Sequence, residues 1–268
     1  MKESIVTKSN IAVIGAICGD ILGSYYEFRH RTKDLNMYLY REEAIFTDDT
    51  VCTIAMADAL LNCKPLDKTL RDWCRRYINS GYGGYFRRWI RNDELGPYGS
   101  WGNGSAMRVS AAGQLARTLK EARELAVATA LITHNHPEGI KGAESTAAAI
   151  YMALNGTSKE DIRDYIETEF GYDLHRKYKD IQPTYKFEVS CQKSVPESFI
   201  SFLESVDYED AIRHAIALGG DADTQGAITG SIAAAFYGTI PAPILNHCLP
   251  LLPNDVIDIL ISLKRHNP

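Results

Sequence analysis

The residue types best suited to chemistry fall in two short stretches of this chain, Thr47-Asp48-Asp49-Thr50 and Asp221-Ala222-Asp223-Thr224. Each sets two carboxylates and a hydroxyl at the mouth of a run of small and apolar residues, Val51 to Leu61 in one case and Gly226 to Gly238 in the other. A helix mouth offers free backbone N–H groups and a positive dipole end, which stabilise a nearby anion by ~0.3–1 kcal/mol per charge. That explains one acidic cap, and an ordinary N-cap is the plain reading of either stretch alone. Two such mouths say more. If the helices pack side by side with their N-termini at one end, four carboxylates converge, and like charges a few ångströms apart push each other's pKa up until the site no longer stays ionised. Divalent cations remove that penalty. Oxygen-only sets of Asp and Thr suit a hard cation such as Mg2+. Carboxylates bridging two metals ~3.5–4 Å apart form a clamp that polarises oxygens and activates water.

The elements that would position these groups are legible in the small residues. Gly226, Gly230 and Ala234 recur every fourth position after Asp223, and Gly15, Gly19 and Gly23 do so from Asn10 to Phe28. This spacing leaves a nearly bare strip along each helix and lets two backbones approach closely. On the first helix Asp20 and Glu27, seven residues apart, share a side. Carboxylates on an otherwise apolar helix are seldom buried unless paired or bound to something. Residues 29–44 are polar and aperiodic and read as a loop able to cover a site. Two glycine-rich stretches, Gly81 to Gly84 and Glu94 to Ser105, have accessible backbone N–H groups; the second opens into a helix start, the generic phosphate cradle, although a plain turn is the commoner meaning. His134 and His136 flank Pro137 at another helix start, a setting in which histidines are more often surface hydrogen-bonding groups than metal ligands.

Further amphipathic helices are expected over 68–79, 85–91, 121–131, 138–154, 158–170, 196–206, 208–218, 244–251 and 254–265, the last capped by Asn254. The run 185–191 alternates like a strand, but one short strand makes no sheet and it serves equally as an extended connector. No linker, low-complexity tract or composition shift interrupts the chain, so one all-α domain is expected over residues 1–268.

Composition narrows the function classes. The chain is 45% hydrophobic and 24% charged, as in an ordinary soluble protein. With a net charge of −5 and only brief basic pairs, Arg75-Arg76 and Arg87-Arg88, it offers no general nucleic-acid surface. Six cysteines without C-x-x-C spacing read as reduced core residues. The apolar stretch Ile11 to Cys18 is too short to span a bilayer, so neither membrane anchor nor export signal is expected and the cytoplasm is the expected location. Aspartyl phosphotransfer is set aside because Asp221-Ala222-Asp223 follows a helical run closed by Gly219-Gly220 and not an apolar strand; a P-loop and a G-x-S-x-G elbow are also absent.

Taken in order, Gly19-Asp20-Ile21-Leu22-Gly23-Ser24-Tyr25-Tyr26-Glu27, Thr47-Asp48-Asp49-Thr50, Gly102-Asn103-Gly104-Ser105-Ala106-Met107-Arg108, Thr133-His134 and Gly219-Gly220-Asp221-Ala222-Asp223-Thr224 resemble the motif series of the ADP-ribosylglycohydrolases, over about residues 11–238. The resemblance implies an all-α orthogonal helical bundle with two Mg2+ ions, Mn2+ being a possible substitute, and a cleft for ADP-ribose. It implies metal ligands at Thr47, Asp48, Asp49, Asp221, Asp223 and Thr224, with Glu27 a metal-associated or gating carboxylate near the distal ribose. Gly83 and Gly84, with Ser100, Trp101, Gly102, Asn103 and Gly104, would face the pyrophosphate and proximal ribose, and His134 would lie beside the ribose or phosphates. Catalysis would fall to Glu27, Asp48 or Asp49, and an arginine-linked ADP-ribose is expected ahead of a serine-linked one. The partner would be an ADP-ribosylated protein or small conjugate, and the chain is expected to be a monomer. The other implied reading is a non-catalytic ADP-ribose binder or crystallin-like protein on the same scaffold. Three positions depart from the family pattern. Ala222 replaces a common threonine, Trp101 stands where tyrosine is common, and Gln225 is larger than usual, which is expected to alter the pocket edge near the second metal.

Overall fold

A computed structural model describes residues 5–266. Among these the chain is helical, with no strand and fifteen α-helices. They are α1 (Ile11–Ser24), α2 (Asp48–Leu61), α3 (Leu66–Arg76), α4 (Gly84–Arg91), α5 (Gly104–Met107), α6 (Ser110–Leu115), α7 (Leu119–Leu131), α8 (Pro137–Leu154), α9 (Lys159–Phe170), α10 (Tyr178–Ile181), α11 (Cys191–Leu203), α12 (Tyr208–Ala217), α13 (Ala222–Tyr237), α14 (Ala242–Cys248) and α15 (Asn254–Arg265).

The two smooth helices form the centre, and α1 against α13 is the most extensive helix pair. Gly15, Gly19 and Gly23 of α1 face Gly230, Gly226 and Ala222 of α13 so closely that a Cβ on any of the three would strike the opposing backbone. Absent side chains here allow backbone-to-backbone packing, and both helices are buried over almost their whole length. Tyr208 of α12 donates from its hydroxyl to the Gly15 carbonyl at 2.8 Å, adding a third helix to the pair. At the start of α1 the Ala12 N–H is capped from a distance by Gln114 Oε1 at 3.0 Å. The main core runs from Ile11 in α1 to Leu263 in α15, and a smaller cluster of mostly alanine, including Ala126 and Ala147, joins α7 to α8.

Several boundaries differ from those expected. Helix α1 ends at Ser24, so Glu27 lies in the turn beyond it and not on its side. The run 185–191 is an extended connector with a single antiparallel bridge, Gly102 to Ser190, and α11 begins at Cys191 with Pro196 inside it. Asn254 is the first residue of α15 and makes no side-chain cap; Pro253 holds the cap position. The segment 29–44 supplies no lining residue to the cleft, although Arg31 stacks on Phe187 at its edge; Met37, Leu39 and Ala44 are buried in the core, and Arg213 Nη1 donates to the carbonyls of Leu35 (3.0 Å) and Met37 (2.8 Å). Lys33 Nζ ties the same segment to the carbonyls of Gln182 (2.6 Å), Tyr185 (2.9 Å) and Leu218.

Candidate functional site

Helix α2 begins with a complete set of partners. Thr47 is its N-cap, and Thr47 Oγ1 accepts the Asp49 N–H at 3.2 Å. The Asp48 N–H reaches the Ser80 carbonyl at 2.7 Å. The remaining donors go to a residue of another helix. Asp20 of α1 accepts the N–H groups of Thr47 and Thr50, each at 3.0 Å, together with both threonine hydroxyls. A fully buried carboxylate from α1 therefore caps α2 from outside, which is where an anion is stabilised by unsatisfied N–H groups.

The α13 mouth lies against the α2 mouth. Thr224 Oγ1 donates to Asp49 Oδ2 at 3.3 Å. Carboxylate oxygens of Asp20, Asp49 and Asp223 lie within 4.8 Å of one another, as do those of Glu27, Asp221 and Asp223. Asp223 belongs to both sets, so the two clusters adjoin. Asp221 is held by Asn103 Nδ2 at 2.8 Å. Asp48 stands outside both sets, half-buried at the cleft, beside Gly81 and within the field of Arg87.

Crowding and burial raise the pKa of every carboxyl in the group. Asp20 rises to about 6, its burial outweighing the hydrogen bonds from Thr50 and Thr47. Asp221 also rises to about 6 by burial, in spite of Asn103. Asp48 is pushed up to about 7 by burial and the Asp20 charge. Burial and the Asp221 charge push Glu27 to about 8. Asp49 and Asp223 are held well above the usual range, first by burial and then by the neighbouring Asp20 and Asp49 charges respectively. Asp49 Oδ1 is buried without a hydrogen-bond partner. An orphaned carboxylate oxygen among mutually repelling carboxylates, with only oxygen donors present, is the donor set of a hard divalent cation. The residues fit such a metal.

The clusters open into a cleft of about 570 Å³. Glu27, Asp48, Asp49, Asp221, Asp223 and Thr224 line its acidic floor. Gly83, the cap of α4, and Gly84, its first residue, form one wall, with open space where side chains would be. The other wall is the stretch Ser100, Trp101, Gly102, Asn103 and Gly104 with His134. Within it Ser100 Oγ accepts the Gly102 N–H at 3.2 Å, and Trp101 presents a ring 47% exposed. Asn103 lines the cleft with its side-chain amide directed to Asp221, and its N–H is taken by the Val189 carbonyl at 2.8 Å, so it also stiffens the floor. Of the sequence-derived site residues only Thr47 lies off the cleft surface, beneath it, where its hydroxyl reaches Asp20 at 2.7 Å and Asp49 at 3.4 Å.

Comparison with known proteins bears directly on this geometry. The ADP-ribosylglycohydrolase family profile matches residues 3–265. The chain belongs to the ADP-ribosylglycohydrolase family. Human ADP-ribosylhydrolase ARH3 is 27% identical, covering 85% of each chain. The ADP-ribosyl-[dinitrogen reductase] glycohydrolase of Rhodospirillum rubrum is 26% identical over 87% of this chain and 86% of its own. The ADP-ribosylarginine hydrolase Tri1 of Pseudomonas putida is 25% identical over 90% and 73%. The fold matches that of a solved ADP-ribosylglycohydrolase-related protein complex with a TM-score of 0.75, 24% identity and 99% coverage of both chains. The all-α fold is thus that of the family. No helix among the described residues is long and apolar enough to cross a membrane.

Several features of the site escaped the sequence reading. Asp20 was visible as a lone carboxylate on an apolar helix, but its partners on α2 were not. His134 is buried, at 5% exposure, and not a surface group, whereas His136 caps α8 with Nδ1 accepting the Glu138 N–H at 3.1 Å. Tyr85, Phe28 and Phe187 also line the cleft, and no periodicity pointed to them. Gln225 does not alter the cleft edge. It is fully buried and does not line the cleft, with Nε2 donating to Tyr185 OH at 3.3 Å.

Proposed function

We propose that the protein is a metal-dependent ADP-ribosylhydrolase that cleaves the glycosidic bond between ADP-ribose and a modified side chain. The observation that carries this reading is the pair of carboxylate clusters sharing Asp223 at the floor of a cleft walled by glycine-rich backbone. Thr47, Asp49, Asp221, Asp223 and Thr224, joined by Asp20 and Glu27 and edged by Asp48, would hold two Mg2+ ions. When bound, such ions polarise ribose hydroxyls and lower the pKa of a water.

The chain's own groups would do the rest. The 99–104 backbone and Trp101 would hold the proximal half of the ligand, with the Gly83-Gly84 turn opposite, and thereby orient the anomeric carbon over the acidic floor. Proton transfer would fall to Glu27 or Asp48, which are half-buried and face the cleft. Asp49, buried at the cleft floor, suits metal ligation better. Anionic groups on the floor would stabilise oxocarbenium character as the bond breaks. An arginine-linked substrate leads a serine-linked one, because a cationic leaving group suits the carboxylates at the open edge and one relative is named an ADP-ribosylarginine hydrolase.

The test is ADP-ribose release from arginine-linked, serine-linked and O-acetyl substrates, with Mg2+ and with excess chelator. Release that requires Mg2+ is expected, fastest on the arginine linkage. Binding of ADP-ribose without release from any of the three would favour a non-catalytic binder.

A further inference from the structure

Arg108, just after α5, is fully buried, yet its guanidinium pairs with no carboxylate among the described residues. Nη2 donates to the Thr129 carbonyl at 2.8 Å and to Thr133 Oγ1 at 2.9 Å, and Nε has no partner. A buried charge without a counterion is costly, so what its contacts accomplish matters. A guanidinium can only donate, so the Thr133 oxygen is an acceptor in that contact. His134 Nδ1, at 2.7 Å, is the other partner of this hydroxyl among the described residues; donating to it satisfies both groups, whereas an Nδ1–H would leave the hydroxyl proton without an acceptor. An Nδ1 that accepts leaves the proton of a neutral imidazole on Nε2. Burial and the Arg108 charge both disfavour a second proton on the ring. Nε2 points at the glycine wall of the cleft, where a Cβ on Gly104 would stand 3.1 Å from it. It has no protein acceptor among the described residues.

We propose that Arg108 and Thr133 are positioning residues that lock His134 in its Nε2–H tautomer, making it a one-way hydrogen-bond donor to an acceptor oxygen of ADP-ribose in the cleft. The hydrolase reading supplies only the identity of the ligand; the tautomer is a property of the protein alone. His134 so held cannot take a proton on Nε2, which removes it as a base and makes it selective for phosphate or hydroxyl oxygens over N–H groups.

The full-length protein labelled with 15N-histidine reports the tautomer through long-range imidazole correlations. A pyridine-like Nδ1 and a pyrrole-like Nε2 are expected between about pH 6 and 8, consistent with a ring that stays neutral. The opposite tautomer, or a mixture, in the native protein overturns the proposal. Thr133→Val is expected to mix the tautomers and raise the ADP-ribose Kd about tenfold, the loss of roughly one hydrogen bond. Its Mg2+ Kd should stay within about twofold, and Thr133→Ser should restore both tautomer and affinity. A valine variant that binds ADP-ribose as tightly as the native protein also overturns it. Should that variant fail to fold, the native spectrum and the serine variant decide. A locked tautomer with Thr133-dependent ADP-ribose binding but no release from any substrate would sink the hydrolase reading and uphold this one.

Discussion

Thr224 and Asp49, 175 positions apart in the chain, meet through a 3.3 Å hydrogen bond from the threonine hydroxyl to the carboxylate. That contact joins the start of α13 to the start of α2 and brings two ordinary-looking acidic caps into one acidic floor. Four consequences are open to measurement.

Asp223 belongs to both carboxylate clusters, so its loss removes a carboxylate from each. Asp223→Ala is expected to weaken Mg2+ binding at least 100-fold and to lower kcat by a factor of about 1,000. Calorimetric titration with Mg2+ and single-turnover assays check both. A variant that keeps native affinity and rate would refute the shared-ligand arrangement.

Stability should depend on pH in a way that Mg2+ abolishes. The folded-state pKa values of Asp20, Asp221, Asp48 and Glu27 stand at about 6, 6, 7 and 8, above their ordinary values of 3.8 for aspartate and 4.5 for glutamate. Over that window the folded protein binds more protons than the unfolded chain, so stability is greatest in acid. For these four groups it falls as pH rises from about 4 to about 8, and Asp49 and Asp223, held well above the usual range, act in the same direction. Thermal melts in chelator should show the decline for this group, and saturating Mg2+ should flatten it. A melting temperature that rises across this window in chelator would contradict the crowded floor.

Asn103 is placed to act on the proposed metal site through Asp221, to which it donates at 2.8 Å. Asn103→Ala should weaken Mg2+ binding by a factor of about 10 to 100 while the melting temperature in chelator changes little. Trp101→Ala should do the reverse, loosening ADP-ribose at unchanged Mg2+ affinity. Both follow from paired titrations.

Close packing of α1 on α13 leaves no room at Gly19, where an added Cβ would meet the Gly226 carbonyl. Gly19→Ala is expected to cost about 3 kcal/mol or more in urea unfolding despite its better helix propensity. A neutral or stabilising effect would mean that the two backbones are farther apart than described.

Local pattern made much of this readable. Glycines every fourth residue specify a bare helical face whatever lies opposite, and so 15, 19 and 23 and 226 and 230 named the central pair in advance. Acidic residues at a helix start are a local signal too, as is a glycine-rich loop leading into a helix. These are properties of helical period and backbone freedom, carried by neighbouring residues. The motif order, read the same way, already resembled one family.

Other features depended on what each group met across space. Asp20 reads as an isolated buried charge until Thr47, 27 residues on, supplies its donors. Asn103 lines the cleft as expected, but its amide also meets Asp221, 118 residues away, a partner that no local pattern named. The Arg108–Thr133–His134 chain and the turning of Gln225 away from the cleft are of the same kind. Periodicity tells which side of a helix is apolar, but the partner that satisfies a buried polar atom comes from a distant segment, and only the folded packing selects it.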